Sequence, residues 1–167
     1  MAMIEYKNIL FCTDFSEDAE IAFLHALDLA RKHQAKLHIF HVAHSSYRYN
    51  RQIVDEYVPD GAPAGSAIFD DELEKRAVAA MKETYEKRVG DVKDCVYVVK
   101  SGAPDVEIIH YAKKNNVDLI IMGALGKSEQ DRLVHGSTVA NVSRYAHCHV
   151  MAIRNPAKQF TLPGSMY

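Results

Sequence analysis

At 167 residues, 48% hydrophobic and 25% charged, the chain has the length and balance of one globular domain, which excludes a disordered tail protein and a multidomain assembly. Its formal net charge of −2, with nine histidines left uncounted, argues against nucleic-acid binding, which needs a basic field. No apolar run reaches the roughly 18 residues of a membrane span, and Glu5 interrupts the segment where an export signal would be basic and then apolar, so a cytoplasmic protein with no membrane partner is expected.

Residues 7–13 (KNILFCT) form a short apolar run of strand formers, closed by Asp14. Ser16 is placed to cap a helix, and Glu17, Asp18 and Glu20 favour the positive end of its dipole. Ile21, Leu24, Leu27 and Leu29, with alanines between them, make a helical stripe that ends in Arg31, Lys32 and His33. Residues 36–44 (KLHIFHVAH) read as the second strand. Residues 45–70 are polar and contain Pro59, Gly61, Pro63 and Gly65; so long a loop suggests a functional segment, such as a lid over a ligand. The spacing predicts a second helix over 70–89, with Leu73, Ala77, Ala80, Met81 and Tyr85 inward. A third strand follows at 94–100, then a turn, with Pro104 where a helix can begin and a third helix over 106–115. Residues 117–122 (VDLIIM) are a fourth strand, residues 137–145 a fourth helix and residues 149–154 a fifth strand, which leaves 155–167 as a tail beyond a single domain of residues 1–154.

Strands without polar alternation, separated by amphipathic helices, imply a parallel sheet covered on both faces. With right-handed crossovers this is an open, doubly wound, five-stranded α/β domain of Rossmann-like type. Cys12, Cys95 and Cys148 are an odd number, far apart and without CxxC spacing, so they read as reduced thiols.

Ligands of such sheets sit outside the carboxyl ends of the strands, near the switch in strand order. That singles out Thr13 and Asp14, residues 42–44, Ser101 and Gly102, and the connection starting at Gly123. The last is chemically the richest: Gly123, Gly126, nine residues, then Gly136, Ser137 and Thr138 opening the next helix. Glycines there permit close backbone approach, and the helix N-terminus with two hydroxyls offers donors to a phosphate. The blander alternative is a glycine-punctuated loop with Ser137 as a cap. The stretch is neither a P-loop nor a GxGxxG loop.

This glycine pattern resembles the nucleotide-binding members of the universal stress protein family, which show Gly, two residues, Gly, nine residues, Gly, then Ser or Thr. Residues 9–17 (ILFCTDFSE), the turn at 102–104, residues 118–123 (DLIIMG) and residues 148–154 are similar to the family as well, so the likeness runs over about 4–154. The resemblance implies an ATP site of the adenine nucleotide α-hydrolase-like kind. In it Thr13 and Asp14 lie near the ribose, the phosphates or a bound Mg or Mn ion, Val42 meets adenine through its backbone, and Met122 and Gly123 flank the nucleotide. Gly126, Gly136, Ser137 and Thr138 would face phosphate. Lys127, Arg132 and His135 would either reach phosphates or face solvent. It also implies a homodimer through residues 149–154. Cys12 and His149 depart from the family, standing where proline is frequent.

What the resemblance implies is a nucleotide-dependent switch in stress response or a very slow ATPase. The alternatives are an interaction module with an empty site, and a binder of AMP or cyclic AMP. No residue is read as activating water, and GxSxG is absent. His38 and His41 fall on opposite faces of their strand, against a single metal centre there.

Overall fold

The computed structural model describes residues 4–43, 67–92, 94–125 and 137–157. Its elements in chain order are β1 (Asn8–Cys12), α1 (Glu17–His33), β2 (Lys36–Ala43), α2 (Ala67–Val89), β3 (Cys95–Ser101), α3 (Pro104–Lys114), β4 (Leu119–Gly123), α4 (Ser137–Tyr145) and β5 (His149–Ile153). The strands form one sheet in the order β3-β2-β1-β4-β5, and every pairing is parallel. The order reverses between β2-β1 and β1-β4, which puts the switch point beside β1.

Period two in the strands sorts the core into two layers. Ile9, Phe11, Leu37, Ile39, Leu119 and Ile121 face α1 and α2, where they pack on Phe23, Met81 and Tyr85. Their neighbours Leu10, Cys12, Phe40, Val42, Ile120 and Met122 face α3 and α4, where they pack on Ile108, Ala112 and Val142. Burial on both sides is why the strands read as unbroken apolar runs.

Helix α1 begins as its sequence dictates: the Ser16 hydroxyl oxygen accepts from the Ala19 amide at 3.2 Å. Its inner face differs from the leucine stripe expected. Ala19, Ala22, Phe23, Ala26, Leu27 and Ala30 are buried, while Leu24 is 57% exposed. Small side chains let the helix axis approach the sheet, and Phe23 and Leu27 fill the space between. Helix α2 starts at Ala67, so the last part of the 45–70 stretch is helical; no glycine or proline lies between Ala67 and Val89 to prevent it. Met81, Tyr85 and Val89 are its buried stripe, whereas Ala80 faces outward, one position off that stripe. Gly90 ends the helix at φ 62°, a left-handed position that glycine takes without penalty. The rest of the proposed lid, residues 45–66, lies outside the described residues.

At the amino edge of the sheet, Asp118 Oδ2 accepts from the amides of Lys7 at 2.7 Å and Asn8 at 2.8 Å, tying the entry of β1 to the turn before β4. Among the described residues no helix is long and apolar enough to cross a membrane.

Candidate functional site

The carboxyl ends of β1 and β4 lie level, because Cys12 pairs with Met122. Cys12, Val42 and Met122 all point into the layer under α3 and α4. Ser137 begins α4, and the half-buried Thr138 follows. Val139 and Val142 of α4 pack in the layer into which Cys12, Val42 and Met122 point, so the helix that Ser137 opens belongs to that layer. Burial pushes the Cys12 thiol well above its usual value, so it stays a neutral, apolar lining group.

The turn after β1 is held from several sides. The Thr13 amide donates to the Phe40 carbonyl at 2.9 Å, which carries the β1–β2 pairing one residue past the strand. His41 Nδ1 lies 2.7 Å from the Thr13 carbonyl oxygen. A carbonyl only accepts, so Nδ1 carries the proton and the tautomer is fixed. Thr13 Oγ1 sits 2.7 Å from the Tyr85 hydroxyl and accepts from the Phe15 amide at 3.0 Å. Phe15 has φ 60°, the left-handed region that a bulky side chain rarely adopts. Its ring rests on His41 (4.9 Å) and stacks toward Tyr85 (6.3 Å), and this packing offsets the backbone cost. Asp14 Oδ1 accepts from the Ser16 amide at 3.0 Å, so the carboxylate is oriented by the start of α1.

The exit from β4 is built against the same turn. A Cβ on Gly123 would stand 2.9 Å from both the Ala19 amide nitrogen and Asp18 Cβ. Glycine at 123 thus serves the approach of α1, beyond the ligand access read from its sequence position. The buried Asp18 accepts from the Leu125 amide through Oδ2 at 3.2 Å, and the Ser16 hydroxyl donates to the Leu125 carbonyl at 3.5 Å. The Ala124 amide donates to the Ile153 carbonyl at 2.7 Å, extending the β4–β5 ladder.

Of the residues expected at a nucleotide, the structure thus gathers Thr13, Asp14, Val42, Met122 and Gly123 at one edge and places Ser137 and Thr138 on the adjoining helix. Gly126, Lys127 and Gly136, with Arg132 and His135, lie outside the described residues. The sequence did not place Tyr85, His41, Phe15 or Asp18 at this edge. In the sequence Tyr85 reads as one more apolar position of a stripe, and Asp18 as one of three acidic residues suited to a helix dipole. Among the described residues no group of three or more His, Cys, Asp and Glu side chains is arranged to hold a metal. His38 meets Tyr111 of α3 while His41 meets Phe15, which confirms their opposite faces.

An all-parallel sheet in the order β3-β2-β1-β4-β5, with helices on both faces and its switch point beside β1, defines an open, doubly wound α/β protein. Within that class, the chain belongs to the universal stress protein family, whose model matches residues 5–154. It is 28% identical to a universal stress protein of Methanocaldococcus jannaschii, over 92% of this chain and 85% of that one. Among solved structures it is similar to the universal stress protein UspA from Lactobacillus plantarum, at 29% identity and a TM-score of 0.70, covering 91% of this chain and 100% of that one. A universal stress protein solved in complex with cAMP shares the fold at 24% identity and a TM-score of 0.56, covering 90% of this chain and 98% of that one.

Proposed function

We propose that this universal stress protein binds ATP at the carboxyl edge of β1, β2 and β4 and works as a nucleotide-dependent switch. The observation that carries the reading is the level pairing of Cys12 with Met122, on the same layer as the start of α4. A flat base fits beside such strand ends, and helix N-terminal amides suit phosphate. The glycine pattern from Gly123 through Gly126 and Gly136 to Ser137 supports it from the sequence.

In this reading Val42 meets adenine through its backbone, Met122 and Gly123 flank the nucleoside, and Thr13 and Asp14 lie toward the ribose and phosphates. Lys127 and Thr138 add polar contacts to the phosphates. Asp14 also holds a Mg or Mn ion that the phosphates bring with them. Its fit rests on the Ser16 amide, which fixes one carboxylate oxygen in the turn after β1. The divalent ion would supply charge neutralisation for the polyphosphate. Binding, rather than turnover, is the proposed task, because no described side chain is assigned to activate water. The protein acts in the cytoplasm as a homodimer through β5, an edge strand whose Val150, Met151 and Ile153 are half-buried in the single chain.

Purified protein should release adenine nucleotide on denaturation, and calorimetry with Mg-ATP should show saturable heat. Clean protein with no heat leaves an interaction module with an empty site. AMP or cAMP binding as tightly as ATP moves the assignment to those ligands, since the γ-phosphate then contributes nothing.

A further inference from the structure

We infer that Asp18 is a positioning residue for the phosphate end of the site, an inference that rests on the ATP-binding reading above. The first turn of α1 grips the chain where it leaves β4. Asp18 Oδ2 accepts from the Leu125 amide at 3.2 Å, and the Ser16 hydroxyl donates to the Leu125 carbonyl at 3.5 Å. Both peptide groups of one residue are thereby held by one helical turn. Two residues upstream, Gly123 has no room for a Cβ, because Asp18 Cβ and the Ala19 amide nitrogen stand 2.9 Å from where it would be. Three contacts of different kinds thus fix the position and direction of the backbone at 123–125, immediately before Gly126.

A fully buried carboxylate is costly unless it is hydrogen-bonded. At this position a helix-dipole role needs only an exposed acid, which Glu17 already supplies. Burying Asp18 achieves something else: an acceptor rigid enough to orient one amide. Positioning of this kind acts on the phosphates, whose contacts depend on where the backbone after β4 travels. It leaves alone the base, which lies against Val42 and Met122.

The test compares Asp18→Ala and Asp18→Asn with the wild type for Mg-ATP by calorimetry. Adenosine is read in the same proteins from NMR shifts at Val42 and Met122. Asp18→Ala should weaken Mg-ATP by about tenfold, the equivalent of one lost hydrogen bond to a charged group, with adenosine affinity unchanged. Asp18→Asn, which keeps an acceptor oxygen, should recover most of the loss. If Asp18→Ala does not fold, Asp18→Ser, which removes the reach but stays polar, takes its place with the same expected split. Equal weakening of ATP and adenosine, or no weakening of ATP, overturns the positioning role while leaving the ATP site standing. Wild-type protein that binds no nucleotide overturns both.

Discussion

The hydroxyls of Thr13 and Tyr85 lie 2.7 Å apart, joining the turn that carries Asp14 to a helix 72 residues away in sequence. Burial pushes the Tyr85 phenol above its usual range, so it stays protonated. Its ring is enclosed by Phe11 and Phe23 at 5.6 and 4.6 Å. Tyr85→Phe keeps the ring and removes the hydroxyl, with its bond to Thr13 and its interaction with Glu20. The expected loss is about 1 kcal/mol of unfolding free energy, read as a lower urea midpoint at unchanged slope. Tyr85→Ala, which empties the aromatic cluster, should cost roughly 3–5 kcal/mol. An unchanged midpoint for the Phe variant would mean that the hydroxyl pair contributes nothing net.

Gly123 makes a second prediction independent of any ligand. The atoms a Cβ would meet are the Ala19 amide nitrogen and the Asp18 backbone carbon and Cβ, none of which moves without moving α1. Gly123→Ala should therefore destabilise the protein by about 1–3 kcal/mol, although alanine suits a strand end as well as glycine does. Thermal unfolding without nucleotide measures it. A neutral result would show that α1 shifts away from β4 at no cost.

His38 makes stability depend on pH. It is 4% exposed, and burial, with Lys36 nearby, lowers its pKa from 6.5 to about 4. Tyr111 faces it from α3 at 2.9 Å, and Asp94 acts weakly in the opposite direction. In the unfolded chain the imidazole takes up its proton near pH 6.5, and in the native protein only near 4. Between those values the unfolded state holds more protons, so native stability falls as pH drops through the window. By pH 5 the loss should be about 2 kcal/mol relative to neutral pH. Urea unfolding at pH 7 and 5 checks this: the wild type should lose that much more than His38→Gln, whose side chain does not titrate. Equal losses would place the His38 proton affinity at its ordinary value.

Much of the architecture was legible because local signals and the global fold agree. Ser16, Pro104 and the apolar runs at 9–12 and 119–122 each mark an element where one is found. The five-strand parallel sheet follows from alternating strands and helices, and family membership from the glycine spacing with its flanking segments. Side-chain direction was harder to read. Leu24 and Ala80 fit an apolar pattern but face outward: on α1 alanines with Phe23 and Leu27 occupy the buried face, and on α2 Ala80 stands one position off the stripe of Met81, Tyr85 and Val89. Tertiary partners were invisible. Nothing in the sequence says that Tyr85 reaches Thr13, or that Asp18 folds inward to an amide 107 residues away. The left-handed Phe15 was also hidden, since aromatic residues carry no turn signal.

Asp118 supplies the last prediction. It stands at the head of the fourth apolar run, where sequence offers it no more than the role of a polar strand boundary. Its Oδ2 in fact accepts two successive amides, Lys7 at 2.7 Å and Asn8 at 2.8 Å, and so staples the entry of the central strand to the preceding turn of its neighbour. Hydrogen bonds to a charged acceptor are the stronger kind, but the Lys7 amide is exposed and water replaces part of what is lost. Asp118→Ala should therefore cost roughly 1.5–3 kcal/mol in all. Amide exchange separates this from general loosening. Protection should fall at Asn8 and its strand neighbours near the amino edge, while Cys12 and Met122 at the carboxyl edge keep theirs until global unfolding. Uniform loss of protection along β1 would show that the staple sets the stability of the whole strand instead of its entry.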